Sequence, residues 1–116
     1  MRPEPAAFAA DWIAAWNAHD LEAVLAHYAD DIVFVTPKSI PFTGDPSGRV
    51  VGKAALRDYW SRALQVAGLH FTLRAVYAGP DGLAIRYHSS RTGADVCEVV
   101  RFDDEGLVRD SAAFYE

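Results

Sequence analysis

The sequence predicts an α+β fold in which helices come first and an antiparallel strand meander follows, with the helices packed on one face of the sheet. Helical periodicity is confined to the part of the chain before Gly68. Four period-two segments then follow one another through short turns, which join antiparallel neighbours and leave no room for crossover helices. The apolar parities of adjacent segments also agree when the strands are paired through those turns.

From Ala6 to Ala18, Phe8, Ala9, Trp12, Ile13 and Trp16 recur at the spacing of one helical face. Asn17-Ala18-His19-Asp20 interrupts it, and Asp20 reads as the N-cap of a second helix, Leu21 to Tyr28, with Leu21, Val24, Leu25 and Tyr28 as its apolar stripe. Asp30-Asp31 then precedes a β-branched strand, Ile32-Val33-Phe34-Val35-Thr36. Residues 37–52 contain Pro37, Pro41, Pro46, Gly44, Gly48 and Gly52 and keep no period, so they read as a long loop, either a solvent-exposed excursion or a lid. A third helix is expected from Lys53 to Ala67, its apolar side formed by Leu56, Tyr59, Trp60, Ala63 and Leu64, with Gly68 as its stop.

The strands are expected at 69–78, 83–91, 95–103 and 107–115. Leu69, Phe71, Leu73, Ala75 and Tyr77 form the inner parity of the first, and Leu83, Ile85 and Tyr87 that of the second. The third carries Val96, Glu98, Val100 and Phe102 on one face, which groups a carboxylate with three apolar side chains. A two-residue turn at Thr92-Gly93 would set Tyr87 directly opposite Glu98. A four-residue turn at 103–106 would pair Phe102 with Leu107 and Glu98 with Ser111, making Ser111, Ala113 and Tyr115 inner; a bulge would turn Asp110, Ala112 and Phe114 inward instead.

An unpaired ionised carboxylate is very costly to bury, so Glu98 must be paired, protonated or facing a cavity that holds water or ligand. Beside the Tyr87 phenol it should titrate above the model value of roughly 4.3. Tyr87, Glu98 and Ser111 would then be a row of polar groups on an otherwise apolar wall, the usual form of a small-molecule site.

A length of 116 residues fits one domain, residues 1–116. The net charge of −5 and scattered basic residues argue against a nucleic-acid partner. The single cysteine, Cys97, excludes an internal disulfide and fits a reducing compartment. Met1-Arg2-Pro3-Glu4-Pro5 lacks the apolar core of a signal peptide and no apolar run would span a bilayer, so a soluble, cytoplasmic protein without a membrane partner is expected. His19, His27, His70 and His88 are spread over a turn, a helix flank and the outer sheet face, so no metal and no other cofactor is expected. Val76, Cys97 and Val99 fall on the outer parity, which points to a homodimer through that face.

Trp16-Asn17-Ala18-His19-Asp20-Leu21-Glu22-Ala23, Tyr28-Ala29-Asp30-Asp31 and Gly52-Lys53-Ala54-Ala55-Leu56, together with the element order, resemble the SnoaL-like branch of the nuclear transport factor 2-like superfamily over nearly the whole chain. The resemblance implies a cone, a curved antiparallel sheet wrapped around the N-terminal helices with a pocket at its open end, and makes dimerisation common. It also implies either binding of an apolar, polyketide- or steroid-like compound, or catalysis as an isomerase, cyclase, dehydratase or hydrolase. Of the three groups that serve ketosteroid isomerases, the tyrosine corresponds to Trp12, the base aspartate to Thr36 and the second carboxylic acid to Glu98, so one of three keeps its chemistry. The expected ligand-binding set is Trp16, Phe34, Thr36, Trp60, Phe71, Leu73, Tyr87, Glu98, Val100, Ser111, Ala113 and Tyr115, with Glu98 and Tyr87 as the catalytic candidates.

Overall fold

Helix α1 (Pro5–Asn17) starts where Glu4 accepts a hydrogen bond from the Ala7 amide and Pro5 occupies the first turn, in a computed structural model that describes residues 2–116. Its apolar face, with Phe8, Ala9, Trp12, Ile13 and Trp16 all buried, lies across the concave side of the sheet. Helix α2 (Leu21–Leu25) is N-capped by Asp20, whose carboxylate accepts from Ala23 N at 3.1 Å. It ends three residues before Tyr28, which begins β1 (Tyr28–Val35), so the expected helix is too long and the expected strand starts too late. Tyr28 is buried in both readings, but it belongs to the sheet, where it pairs with Val108.

The expected loop is largely structured. A 3-10 turn (Pro37–Ser39), a short helix α3 (Ile40–Thr43) and strand β2 (Arg49–Val51) fold back against β1. Buried Ser39 fixes this excursion by lying 3.0 Å from the carbonyls of Thr36 and Gly48. Gly48 has φ 74°, and a Cβ there would stand 2.6 Å from the Thr36 oxygen, so only glycine fits. Helix α4 (Lys53–Ala63) stops a turn before Gly68. Strands β3 (Phe71–Ala78), β4 (Gly82–Ser89), β5 (Ala94–Phe102) and β6 (Val108–Tyr115) form the meander.

The sheet has six strands in the order β2-β1-β6-β5-β4-β3. All neighbours are antiparallel except β1 and β6, which run parallel. It curls around α1 as an open cone, with bulges in β3 and β6 and a register break between Tyr28 and Val33 where the strands bend.

Three pairings differ from the sequence reading. The β4–β5 turn spans four residues rather than two, and Tyr87 pairs with Val96, while Glu98 pairs with Ile85. Local hydrogen bonds select the longer turn: Gly93 N donates to Ser89 O, Arg91 N to Ser89 Oγ, and His70 N to Ser90 Oγ. The shift is by two, so every inner residue stays inner. At the β5–β6 turn, Asp103 accepts from the amides of Glu105 and Leu107, which closes the loop one residue later than expected. A bulge at Arg109 then pairs Phe102 with Val108 and Glu98 with Ala113, and Ser111, Ala113 and Tyr115 face inward while Phe114 points out. In β3 the extra residue Arg74 reverses the parity beyond Leu73: Val76 packs against the core, Tyr77 is exposed, and Ala75 opposes outward Arg86. Ala75 and Tyr77 are therefore not inner, whereas Leu73, before the bulge, keeps the inner register opposite Tyr87 although it is 38% exposed, and Val76 does not belong to an outer patch.

The edge strand β3 is tied to α1 by a side chain that imitates a strand. Asn17 donates through Nδ2 to Phe71 O at 2.9 Å and accepts through Oδ1 from Phe71 N at 2.7 Å. His19, held at φ 55°, donates from Nε2 to Leu69 O at 2.9 Å. Asn17→Ala leaves both Phe71 backbone groups without these partners and should lower unfolding free energy by about 1–3 kcal/mol. Urea denaturation reads that loss, and hydrogen exchange should show it concentrated at the start of β3.

Candidate functional site

Glu98 sits at the centre of the inner face, 4% exposed, between two hydroxyls. Tyr87 donates to Oε1 at 3.3 Å and Ser111 donates to Oε2 at 3.4 Å. Both bonds are long for O–H···O contacts, so they recover little of the cost of dehydrating a carboxylate. Desolvation accordingly pushes the Glu98 carboxyl up to about 8, with the two hydroxyl bonds opposing it. At neutral pH the group is mainly a carboxylic acid and hence a hydrogen-bond donor. Burial and the adjacent Glu98 together hold the Tyr87 phenol well above its ordinary range, so it too stays protonated.

The cavity in front of Glu98 is walled by interlocked aromatic rings. Trp16 meets Trp60 edge-on at 5.0 Å, Phe34 meets Trp60 at 5.4 Å, and Phe71 leans on Tyr87 at 4.4 Å. The inner space is about 60 Å³. An outer chamber of about 150 Å³ continues it between Phe42, Tyr59, Arg62, Ala63, Val66 and Arg91, sharing Tyr59, Ala63 and Arg91 with the inner one. A space of 150 Å³ is about the size that accommodates a benzene ring.

Of the residues expected to bind ligand, Trp16, Phe34, Trp60, Phe71, Tyr87, Glu98 and Tyr115 line this cavity. Thr36 does not: it is fully buried, caps the 3-10 turn through Lys38 N, and shares a hydrogen bond of 3.2 Å with the Tyr115 hydroxyl. Val100, Ser111 and Ala113 are buried in the sheet behind the lining, Ser111 reaching the cavity only through Glu98. Leu73 pairs with Tyr87 on the inner face but is 38% exposed and does not line the cavity.

Several lining residues escaped sequence reasoning. Trp12 reads as core and is both core and wall, its Nε1 donating to the Tyr28 hydroxyl at 3.0 Å. Leu69, Ser89 and Val96 have the inner parity that could have placed them. Lys38, Arg91 and Thr92 lie in turns, where no periodicity marks orientation. Tyr59 was recognisable as an amphipathic residue at the mouth, and burial raises its phenol to about 12. One lining group has an unmet need: the buried Trp16 Nε1–H has no hydrogen-bond partner among the described residues.

A family profile for the SnoaL-like domain matches residues 9–110. A SnoaL-like protein of unknown function from Burkholderia thailandensis is 39% identical, with a TM-score of 0.91, over 97% of this chain and 99% of that one. TerC, crystallised with polyporic acid, is 17% identical, with a TM-score of 0.74, over 97% of this chain and 92% of its own. A putative polyketide cyclase from Sinorhizobium meliloti is 16% identical, with a TM-score of 0.71, over 89% of each chain. The last two likenesses concern the fold alone. No curated protein matches significantly.

Because the folded protein holds the Glu98 proton more tightly than the unfolded chain, this group's contribution to stability is complete below about 4.5 and declines as pH rises to about 8. Glu98→Gln should remove that slope between pH 5 and 8, roughly the window between the two pKa values. Denaturation midpoints of both proteins across this range provide the check, and carbon-detected NMR of the Glu98 carboxyl should follow the same titration.

Proposed function

The chain belongs to the SnoaL-like domain family, and from that premise we propose that it binds a small, largely apolar molecule of polyketide or steroid type in the cone cavity. The observation that carries this reading is the buried, protonated Glu98 on an aromatic wall. Tyr87 and Ser111 flank its oxygens within hydrogen-bond reach, and the neutral acid brings an O–H that an acceptor oxygen in the cavity can take. A buried donor left unsatisfied costs about 1–3 kcal/mol, so an acceptor oxygen on the ligand gains a preformed partner. The inner chamber admits the leading edge of such a molecule, and its rings occupy the outer chamber beside Phe42 and Tyr59.

A second reading is catalysis by Glu98 as general acid or base with Tyr87 as its orienting donor. It is favoured by a carboxyl that titrates at about 8, near a working pH. Binding is preferred because, among the described residues, Glu98 is the only carboxyl group on the lining and no histidine accompanies it. Titration with a neutral bicyclic ketone such as 1-tetralone, followed by tryptophan fluorescence, tests the binding reading. Saturable quenching should weaken severalfold as Glu98 ionises, and Glu98→Gln, which keeps an N–H donor, should bind without that pH dependence. Absence of saturable quenching together with no retained molecule in native mass spectrometry would remove the proposal. Turnover of a compound found in the cavity, abolished by Glu98→Gln with binding intact, would establish the second reading instead.

We also propose a homodimer through the convex sheet face. Its support is a row of adjacent outward residues, Tyr77, Ala84, Val99, Ala112 and Val35, crossing five strands, with Phe114 beside Cys97 in the next row. Tyr77 is 58% and Phe114 59% exposed in the single chain. Phe114→Asp should shift sedimentation from dimer to monomer at tens of micromolar, a range chosen for moderate interfaces of roughly this strength. A wild-type monomer at that concentration would contradict the assembly.

A further inference from the structure

The cavity mouth is basic although the chain carries a net charge of −5. Lys38 and Arg91 line the inner chamber, and Arg62 and Arg91 line the outer one. Among the described residues the only acidic one on either lining is Glu98, deep inside and mainly uncharged at neutral pH. Cations gathered around an opening raise the local concentration of anions and steer them inward.

The three cations are differently engaged. Arg62 pairs with Asp58 at 3.6 Å and lies over the Phe42 ring. Lys38 sits 4.7 Å over the Tyr115 ring, and neither Lys38 nor Arg91 has a carboxylate within ion-pair distance among the described residues. Elsewhere the arginines are mostly neutralised locally: Arg57 by Glu22, Arg74 and Arg86 by Asp95, and Arg101 and Arg109 by Asp110. Unneutralised cations thus coincide with the opening of the one cavity that contains an unpartnered indole N–H, that of Trp16, a donor that calls for an oxygen.

We propose that the ligand is an amphiphilic organic acid, with its anionic group held at the rim by Arg91 and Lys38 and its apolar body against the aromatic wall. Arg91 belongs to both chambers, so an acid group held there stands where the ring-sized outer space meets the narrow inner one. Arginine suits a carboxylate in that position because its planar fork offers two parallel donors. This assignment rests on the cavity being a ligand site and adds the charge of what it takes.

Three isosteric probes separate the two claims: 2-naphthoate, 2-naphthamide and 2-naphthylmethylammonium, titrated by tryptophan fluorescence at pH 7. The wild-type protein should bind naphthoate about tenfold more tightly than naphthamide and bind the ammonium most weakly, with the preference shrinking as salt rises. Exposed Arg91 and half-buried Lys38 tolerate replacement, and the double variant Lys38→Gln/Arg91→Gln should bring naphthoate and naphthamide within about twofold of each other, the greater loss falling on naphthoate. Arg101→Gln on the convex face serves as the control for overall charge and should leave the preference intact. Equal binding of naphthoate and naphthamide to the wild-type protein, or a preference that survives the double variant, overturns the acid assignment while the binding site stands. Failure of all three probes to bind overturns both.

Discussion

Helix α1 is fastened to the open edge of the sheet by one side-chain amide. Asn17 presents to Phe71 the donor and acceptor that a neighbouring strand would present, and β3 therefore ends its sheet on a helix rather than on solvent at that point. The attachment fixes the height of α1 in the cone, and with it the positions of Trp12 and Trp16, which lie on the same helix and meet Phe71 at 6.2 and 5.5 Å. His19 repeats the device two residues later on Leu69, another lining residue. The cavity wall is consequently set by polar bonds outside it as much as by aromatic packing within.

Against that wall the sheet places a carboxyl that its surroundings do not fully satisfy. A shorter bond from Tyr87 or Ser111 would favour the charged form, and a nearby cation would favour it more. Neither occurs at Glu98, since the cations stay at the rim, and the balance falls to the neutral acid. The interior is thus a place of neutral polar groups, the Glu98 carboxyl, the Tyr87 phenol and Trp16 Nε1–H, and the entrance a place of positive charge. On the proposed reading, an oxygen-bearing ligand would meet complementary groups at both depths.

The inner face of the sheet was legible because side-chain parity survives a register shift of two. Tyr87 and Glu98 remain bonded although they are diagonal rather than opposite. Register itself depends on turn chemistry, and Ser89, Ser90 and Asp103 each accept hydrogen bonds that lengthen a turn beyond its minimal reading. The β3 bulge left no trace in the pattern, because Leu69, Phe71, Leu73, Ala75 and Tyr77 alternate without interruption while the backbone inserts Arg74 as an extra residue. The rim was illegible for a different reason. Lys38 and Arg91 sit in turns, where orientation is set by the elements that the turn joins and not by spacing.

The single parallel seam has a bearing on how the chain reaches this state. Strands β3 to β6 are joined by tight turns and acquire their pairings locally, whereas β1, at residues 28–35, must find β6, at residues 108–115, across nearly the whole intervening sequence. The entropy of closing so long a loop is met before any contact offsets it, which makes this the slow joint of the assembly. Phe34 and Lys38 enter the cavity lining only when β1 has docked, on β6 by way of Ser111, the residue that touches Glu98. A chain with its meander formed and this seam open would carry Glu98 without the Phe34 and Lys38 side of the chamber, so the cavity is completed only by the longest-range pairing in the sheet.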